Sequence, residues 1–152
     1  EGHLSREAAR LLVAYRNAAG LAVMREQPAL ALRFVAAAGP LLSEPGLAAA
    51  TGEALRVELA AREGEALLAL GRPAAAVAVA ERALERWDPQ DRRGDAATAD
   101  LHLLCFEALK ERAPAQALPH ARAALRYFAG EASLHEITTI LETWLRRYRG
   151  PR

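Results

Sequence analysis

The sequence predicts an all-α fold, a tandem array of three helix pairs closed by a C-terminal helix, and three observations carry that prediction. About a quarter of the 152 residues are Ala, which loses no side-chain entropy on entering a helix. Val and Ile are sparse, and no stretch alternates apolar and polar residues over a strand's length. A Pro-x-x-Ala-aliphatic pattern then returns three times at long, similar intervals. Hydrophobic residues make up 52% of the chain but aromatics only 5%. Small side chains let helices approach closely and bury little area each, so the core is expected to be extensive rather than bulky.

The elements follow in order. The first helix is expected over 5–25, with Ser5 as its cap and Leu11, Leu12, Tyr15, Ala18 and Ala22 at helical spacing. Glu26-Gln27-Pro28 ends it, and Pro28 opens the second helix, where a missing N–H costs nothing. Leu30, Leu32, Phe34, Val35 and Ala38 belong to that helix, which fails at or just after Gly39-Pro40. After the Ser43-Glu44-Pro45-Gly46 loop a long third helix runs over 47–70, with Leu55, Leu59, Ala66, Leu67 and Leu70 as its apolar face. Gly71-Arg72-Pro73 is a sharp turn. The fourth helix covers 74–86, and the loop from Trp87-Asp88-Pro89 to Gly94 is the longest. The fifth helix covers 96–111 and the sixth 114–130, with Pro119 expected to bend or tighten its first turns. The last helix is expected to start at Ser133, where Ser133 and Glu136 read as a capping box, and to stop at Arg149-Gly150-Pro151.

Charge excludes little and favours little. Twenty basic and 19 acidic residues leave a net charge of +1, so no broad pull toward nucleic acid or anionic membrane is expected. No apolar run is long enough to span a bilayer. Cys105 is the one cysteine and lies between Leu104 and Phe106, so it reads as a buried, inert thiol. The chain begins Glu1-Gly2-His3-Leu4, without Met or a signal-peptide pattern, and is expected to be a piece of a longer cytoplasmic protein. The Ala and Arg bias points to a GC-rich, bacterial source.

No catalytic constellation stands out. The histidines His3, His102, His120 and His135 form no H-x-x-x-H or H-E-x-x-H pair. Phosphate-cradling and nucleophile-elbow motifs are absent. His102 and Cys105 are three residues apart on one helix, close enough to lower a thiol pKa if both were exposed. His102 also lies one turn before Phe106, within reach of its ring. Arg146-Arg147-Tyr148-Arg149, with Trp144 and Arg152, is a basic, aromatic cluster that could grip phosphate. The same residues serve equally to pack an end helix and to complement its C-terminal dipole. No enzyme activity, cofactor or metal is expected.

Pro28-x-x-Ala31-Leu32, Pro73-x-x-Ala76-Val77 and Pro114-x-x-Ala117-Leu118 share one pattern, and Ala38, Ala83 and Ala124 follow each at the same interval. The spacings, 45 and 41 residues, suit a helix-turn-helix unit that must stack on its neighbours. Leu70-Gly71-Arg72-Pro73-Ala74-Ala75-Ala76-Val77, then Ala80, Ala83-Leu84 and Asp88-Pro89, resembles the turn and second helix of a tetratricopeptide repeat. Gly64 stands where that family's first helix carries a small Gly, and Leu67 where it carries Tyr. Leu101, Leu104, Cys105 and Ala108 match the same positions in the third unit, and Tyr15, Ala18, Ala19 and Ala22 in the first. The units exceed the family's usual length, and Ala60 and Glu63 replace its Trp and Leu.

The resemblance implies a right-handed superhelical array of units at about 5–45, 46–94 and 95–130, with 133–149 as an end cap, in one domain over 1–152. It also implies a concave groove lined by the first helix of each pair. By position that groove takes Arg16, Gly20, Val23 and Met24, then Glu58, Ala61, Glu65 and Leu68, then His102, Phe106, Leu109 and Lys110. Met24, Leu68 and Phe106 would be its apolar anchors for a peptide or partner helix. The clamp on a C-terminal carboxylate known in the family is not expected, because Gly20, Glu65 and Phe106 occupy its Asn positions. The expected role is a protein-interaction scaffold; self-association through an end or the groove stays open. The long units also resemble the helical sensor regions of some bacterial transcription activators, which gives the alternative role.

Overall fold

The computed structural model describes residues 2–87, 94–131, 134–148 and 150. Among them lie seven α-helices and no strand: α1 (Gly2–Met24), α2 (Pro28–Ala38), α3 (Ala49–Ala69), α4 (Pro73–Arg86), α5 (Ala96–Leu109), α6 (Pro114–Phe128) and α7 (His135–Arg147). A 3₁₀ turn, Gly39–Ser43, continues α2 past the expected break. None of these helices is long and apolar enough to cross a membrane.

Helices α1, α3 and α5 each pack against the next helix through a short turn. In addition α3 lies against α1 and α2, α5 lies against α3 and α4, and α7 lies against α6. The first helices of successive pairs therefore stand side by side. Among the described residues the core is a file of small apolar clusters. Leu12, Ala38, Leu55 and Leu59 form one, and Ala19, Ala22, Ala31 and Ala66 the next. Val57, Leu67, Ala76, Leu101 and Leu104 then join α3, α4 and α5, and Ala99, Phe106, Ala121, Phe128 and Leu141 join α5, α6 and α7. Ala31, Ala76 and Ala117, the repeated alanines, are each fully buried. A methyl group is all that fits where two helix backbones approach this closely.

The Pro-initiated turns share one backbone geometry. Gln27, Arg72 and Ala113, which precede the prolines, sit at φ/ψ of −118/63°, −116/62° and −144/67°. Pro disfavours the helical region for the residue before it, so each helix is forced to start at the proline. Two of the preceding helices end in the same hydrogen-bonded cap. Arg72 N donates to Leu67 O and Gly71 N to Leu68 O; Gln27 N donates to Ala22 O and Glu26 N to Val23 O. Both caps need a left-handed residue, which is Gly71 at φ 72° and Glu26 at φ 58°. A side chain is strained there, and Glu26 is exposed. Glu26→Gly is expected to stabilise the fold by about 0.5–1 kcal/mol. A urea midpoint that stays put or falls would show that the strain is relieved elsewhere.

Helix starts differ from expectation in instructive ways. Ser5 does not cap α1, which begins three residues earlier; its hydroxyl donates to the Pro45 carbonyl instead, 3.3 Å away. Ser133 lies outside the described residues, as do Asp88, Pro89, Arg149 and Arg152. Helix α7 has Leu134 at its N-cap and Glu136 in its first turn. Asp95, which carried no expected role, caps α5: its carboxylate accepts from Thr98 N at 2.8 Å and from Trp87 Nε1 at 2.8 Å. Burial opposes the Asp95 charge, but these bonds together with one from the Ala97 amide hold its carboxyl below the usual range. Pro119 sits inside α6 on an exposed side, and Ala115, whose carbonyl it leaves without an intrahelical donor, is exposed to water.

Candidate functional site

Two pockets lie along α1, α3 and α5, and together they make the candidate groove. The first, about 530 Å³ between α1 and α3, is lined by Arg16, Asn17, Gly20, Leu21, Met24, Glu58 and Arg62. Here Arg16 is ion-paired with Glu58. Met24 is 80% exposed and Leu21 52%, large apolar side chains left open to solvent. The second pocket, about 360 Å³ between α3 and α5, has Leu68, Ala69, Leu103 and Leu104 as walls, with Glu65, Asp100 and Glu107 among them.

Arg62 lines the first pocket and reaches two carboxylates of the second. Its Nη1 donates to Glu65 Oε1 and Oε2 at 3.0 and 2.8 Å, and its Nη2 to Asp100 Oδ2 at 3.3 Å, bridging α3 to α5. Burial pushes both carboxyls above their usual range, with the Arg62 guanidinium pulling them back. At the far rim Lys110 Nζ meets Glu107 Oε2 at 2.8 Å and lies 5.6 Å from the centre of the Phe106 ring. On the opposite face, a cleft between α2 and α4 carries Arg56, Arg82 and Arg86 beside Leu59 and Val79. Arg86 there is held by Glu53 at 3.2 Å.

The expected groove residues separate into two groups. Arg16, Met24, Glu58, Glu65 and Leu68 line the groove. Val23 and Ala61 turn into the core instead. On α5 the expected face is rotated. Phe106 is fully buried among Ala99, Ala117 and Leu141, with its ring 5.1 Å from Trp144 at an 80° interplanar angle, so it offers no surface to a partner. Leu109 packs against the core as well. Helix α7 covers this flank, and Trp144, stacked on Tyr148, fills it. Arg146 and Arg147 remain exposed in its last turn. The α5 groove residues are Asp100, Leu103 and Glu107, one step around the helix from the expected set.

His102 faces α6, not the groove. Its Nδ1 lies 3.0 Å from Nδ1 of His120, so one ring donates a proton to the bare nitrogen of the other. His120 Nε2 is 3.9 Å from Glu81 on α4. Burial, with the charges of His120 and Arg126 nearby, holds His102 down at about 4; burial also lowers His120, against the pull of Glu81. Both rings therefore stay neutral in the fold at pH values where the unfolded chain protonates them. Stability is complete above about pH 6.5 and falls as pH drops toward about 4. Urea midpoints across that window should decline, and His102→Gln with His120→Gln should flatten the decline. An equal slope in the variant would place the acid sensitivity elsewhere.

Cys105 is fully buried, and burial, with Glu81 nearby, pushes its thiol up to about 12. It is a neutral packing group at any physiological pH. Among the described residues no three His, Cys, Asp or Glu side chains are placed to hold a metal ion. No family model, no curated protein and no solved structure matches this chain.

Proposed function

We propose that this chain is a cytoplasmic protein-interaction scaffold of the tetratricopeptide-repeat kind, and that a peptide or partner helix lies in the groove across α1, α3 and α5. In this reading the three helix pairs form a right-handed superhelical array and α7 is its end cap. One observation carries the proposal: exposed Leu21 and Met24 at one end of the groove and the Leu68–Leu103 pocket at the other make an apolar track that the Arg62 ion pairs interrupt. Apolar surface arranged in a track, with ion pairs along it, suits a covering polypeptide. The shared geometry of the Pro-initiated turns supports the repeat reading. Groove charges paired within the protein favour a polypeptide over nucleic acid. The buried thiol and the paired histidines favour binding over catalysis.

Panning a displayed random-peptide library against the purified chain tests the proposal. A convergent peptide family is expected. Its affinity should fall about tenfold or more in Leu21→Asp with Leu103→Asp, since that removes two apolar contacts. Arg82→Gln, in the cleft on the opposite face, should bind as the parent does. No enrichment, or equal binding by the groove variant, would overturn the reading.

A further inference from the structure

We infer that the pocket between α3 and α5 receives an arginine side chain of the bound polypeptide, its stem on Leu68 and Leu103 and its guanidinium against Glu65 and Asp100. This deepens the groove reading above and rests on it. Charge and shape both point to this occupant. The walls are aliphatic, and Glu65, Asp100 and Glu107 share the pocket with them. Among the described residues Arg62 is the one cation paired with Glu65 or Asp100, so one guanidinium faces two carboxylates. Glu107 already has Lys110. Among the described residues the pocket therefore carries one more carboxylate than cation, beside apolar surface.

A long side chain with an apolar stem and a cationic head matches that pattern. Arginine fits better than lysine, because its planar fork bonds two carboxylates at once and it gives up its hydration more readily. Both carboxyls sit above their usual range through burial, and a second guanidinium would relieve that cost. An acidic or phosphorylated segment would meet the same two carboxylates as repulsion.

The test uses fluorescein-labelled nine-residue peptides on one Leu- and Ala-containing frame, the central residue being Arg, Lys, citrulline or norleucine. Citrulline keeps the shape of arginine and removes its charge. Fluorescence anisotropy should give the Arg peptide about a tenfold advantage over citrulline, as expected for a charge-assisted pair. That advantage should vanish in Glu65→Gln with Asp100→Asn, and persist in the control Glu53→Gln. It should also shrink as the pH falls, because burial raises both carboxyls and they protonate earlier than free ones. Should the double variant lose helical circular dichroism, Asp100→Asn alone carries the comparison, with a smaller loss expected. Equal binding of Arg and citrulline peptides, or an advantage that survives in the variants, overturns the arginine assignment and leaves the groove standing. Failure of all four peptides, when peptides from the displayed library do bind, also overturns it. If no peptide of either set binds, the groove reading falls with it.

Discussion

Phe106→Ala is expected to destabilise the protein by about 3–5 kcal/mol, the usual cost of emptying a fully buried aromatic site. Its melting temperature should fall by roughly 6–20 °C, at about 2–4 °C per kcal/mol for a chain of this size. The effect is large because the ring joins three helices. It packs on Ala117 and Ala121 of α6, on Leu141 of α7, and edge-on to Trp144. An alanine cannot be backfilled by neighbours that are mostly alanines themselves, so a cavity stays. The loss should concentrate at the α7 end, where Trp144 fluorescence ought to shift toward that of an exposed indole before global unfolding. A cost below about 1 kcal/mol, the scale for a surface site, would return Phe106 to the surface and to the list of groove anchors.

The second large effect is expected at Gly64. Replacing a helix-interior Gly with Ala ordinarily gains about 1 kcal/mol. Here a Cβ would collide with Leu104 Cδ2. Leu104 is only 5% exposed in the cluster that joins α3, α4 and α5, so it can move aside only toward the pocket between α3 and α5, at the expense of its core contacts. Overpacking of that kind costs about 1–3 kcal/mol and outweighs the helix propensity. Gly64→Ala should therefore lower the urea midpoint. Leu104→Ala made in the Gly64→Ala background should cost less than in the parent by about 1 kcal/mol or more, a coupling typical of side chains in direct contact. Additive costs would mean that α3 and α5 do not meet at this point.

The same two sites divide what was legible in the sequence from what was not. Gly64 was legible only as a small-residue position of the resemblance; that its close neighbour is Leu104 on α5 was not. The helix starts at Pro28, Pro73 and Pro114 were readable, because proline dictates them through its own covalent ring. The all-α class followed from composition and period. Phe106 was not readable. Leu101, Leu103, Leu104, Phe106 and Leu109 make α5 apolar around most of its circumference, so the local pattern assigns no face. Only the placement of α7, thirty residues onward, decides which of these side chains is covered. On α1 and α3 charged residues mark the solvent side, and Arg16, Glu58 and Glu65 lie in the pockets there. Even there Arg62 was missed, since its link to Asp100 joins two helices 38 residues apart. Asp95 was a local signal passed over: an Asp just before a helix is a strong cap. The His102–His120 pair, like Arg62, exists only once α5 and α6 are packed together.

Contacts in this molecule join helices that are adjacent or next but one along the chain. Order is thus assembled from short loops, with little entropy spent on distant closure, and folding of such a chain is fast for its size. The converse holds for coming apart. Among the described residues α3, α4 and α5 are each packed against helices before and after them in the chain. Local opening costs most where a helix is held on both sides, which places the pocket between α3 and α5 in a resistant segment.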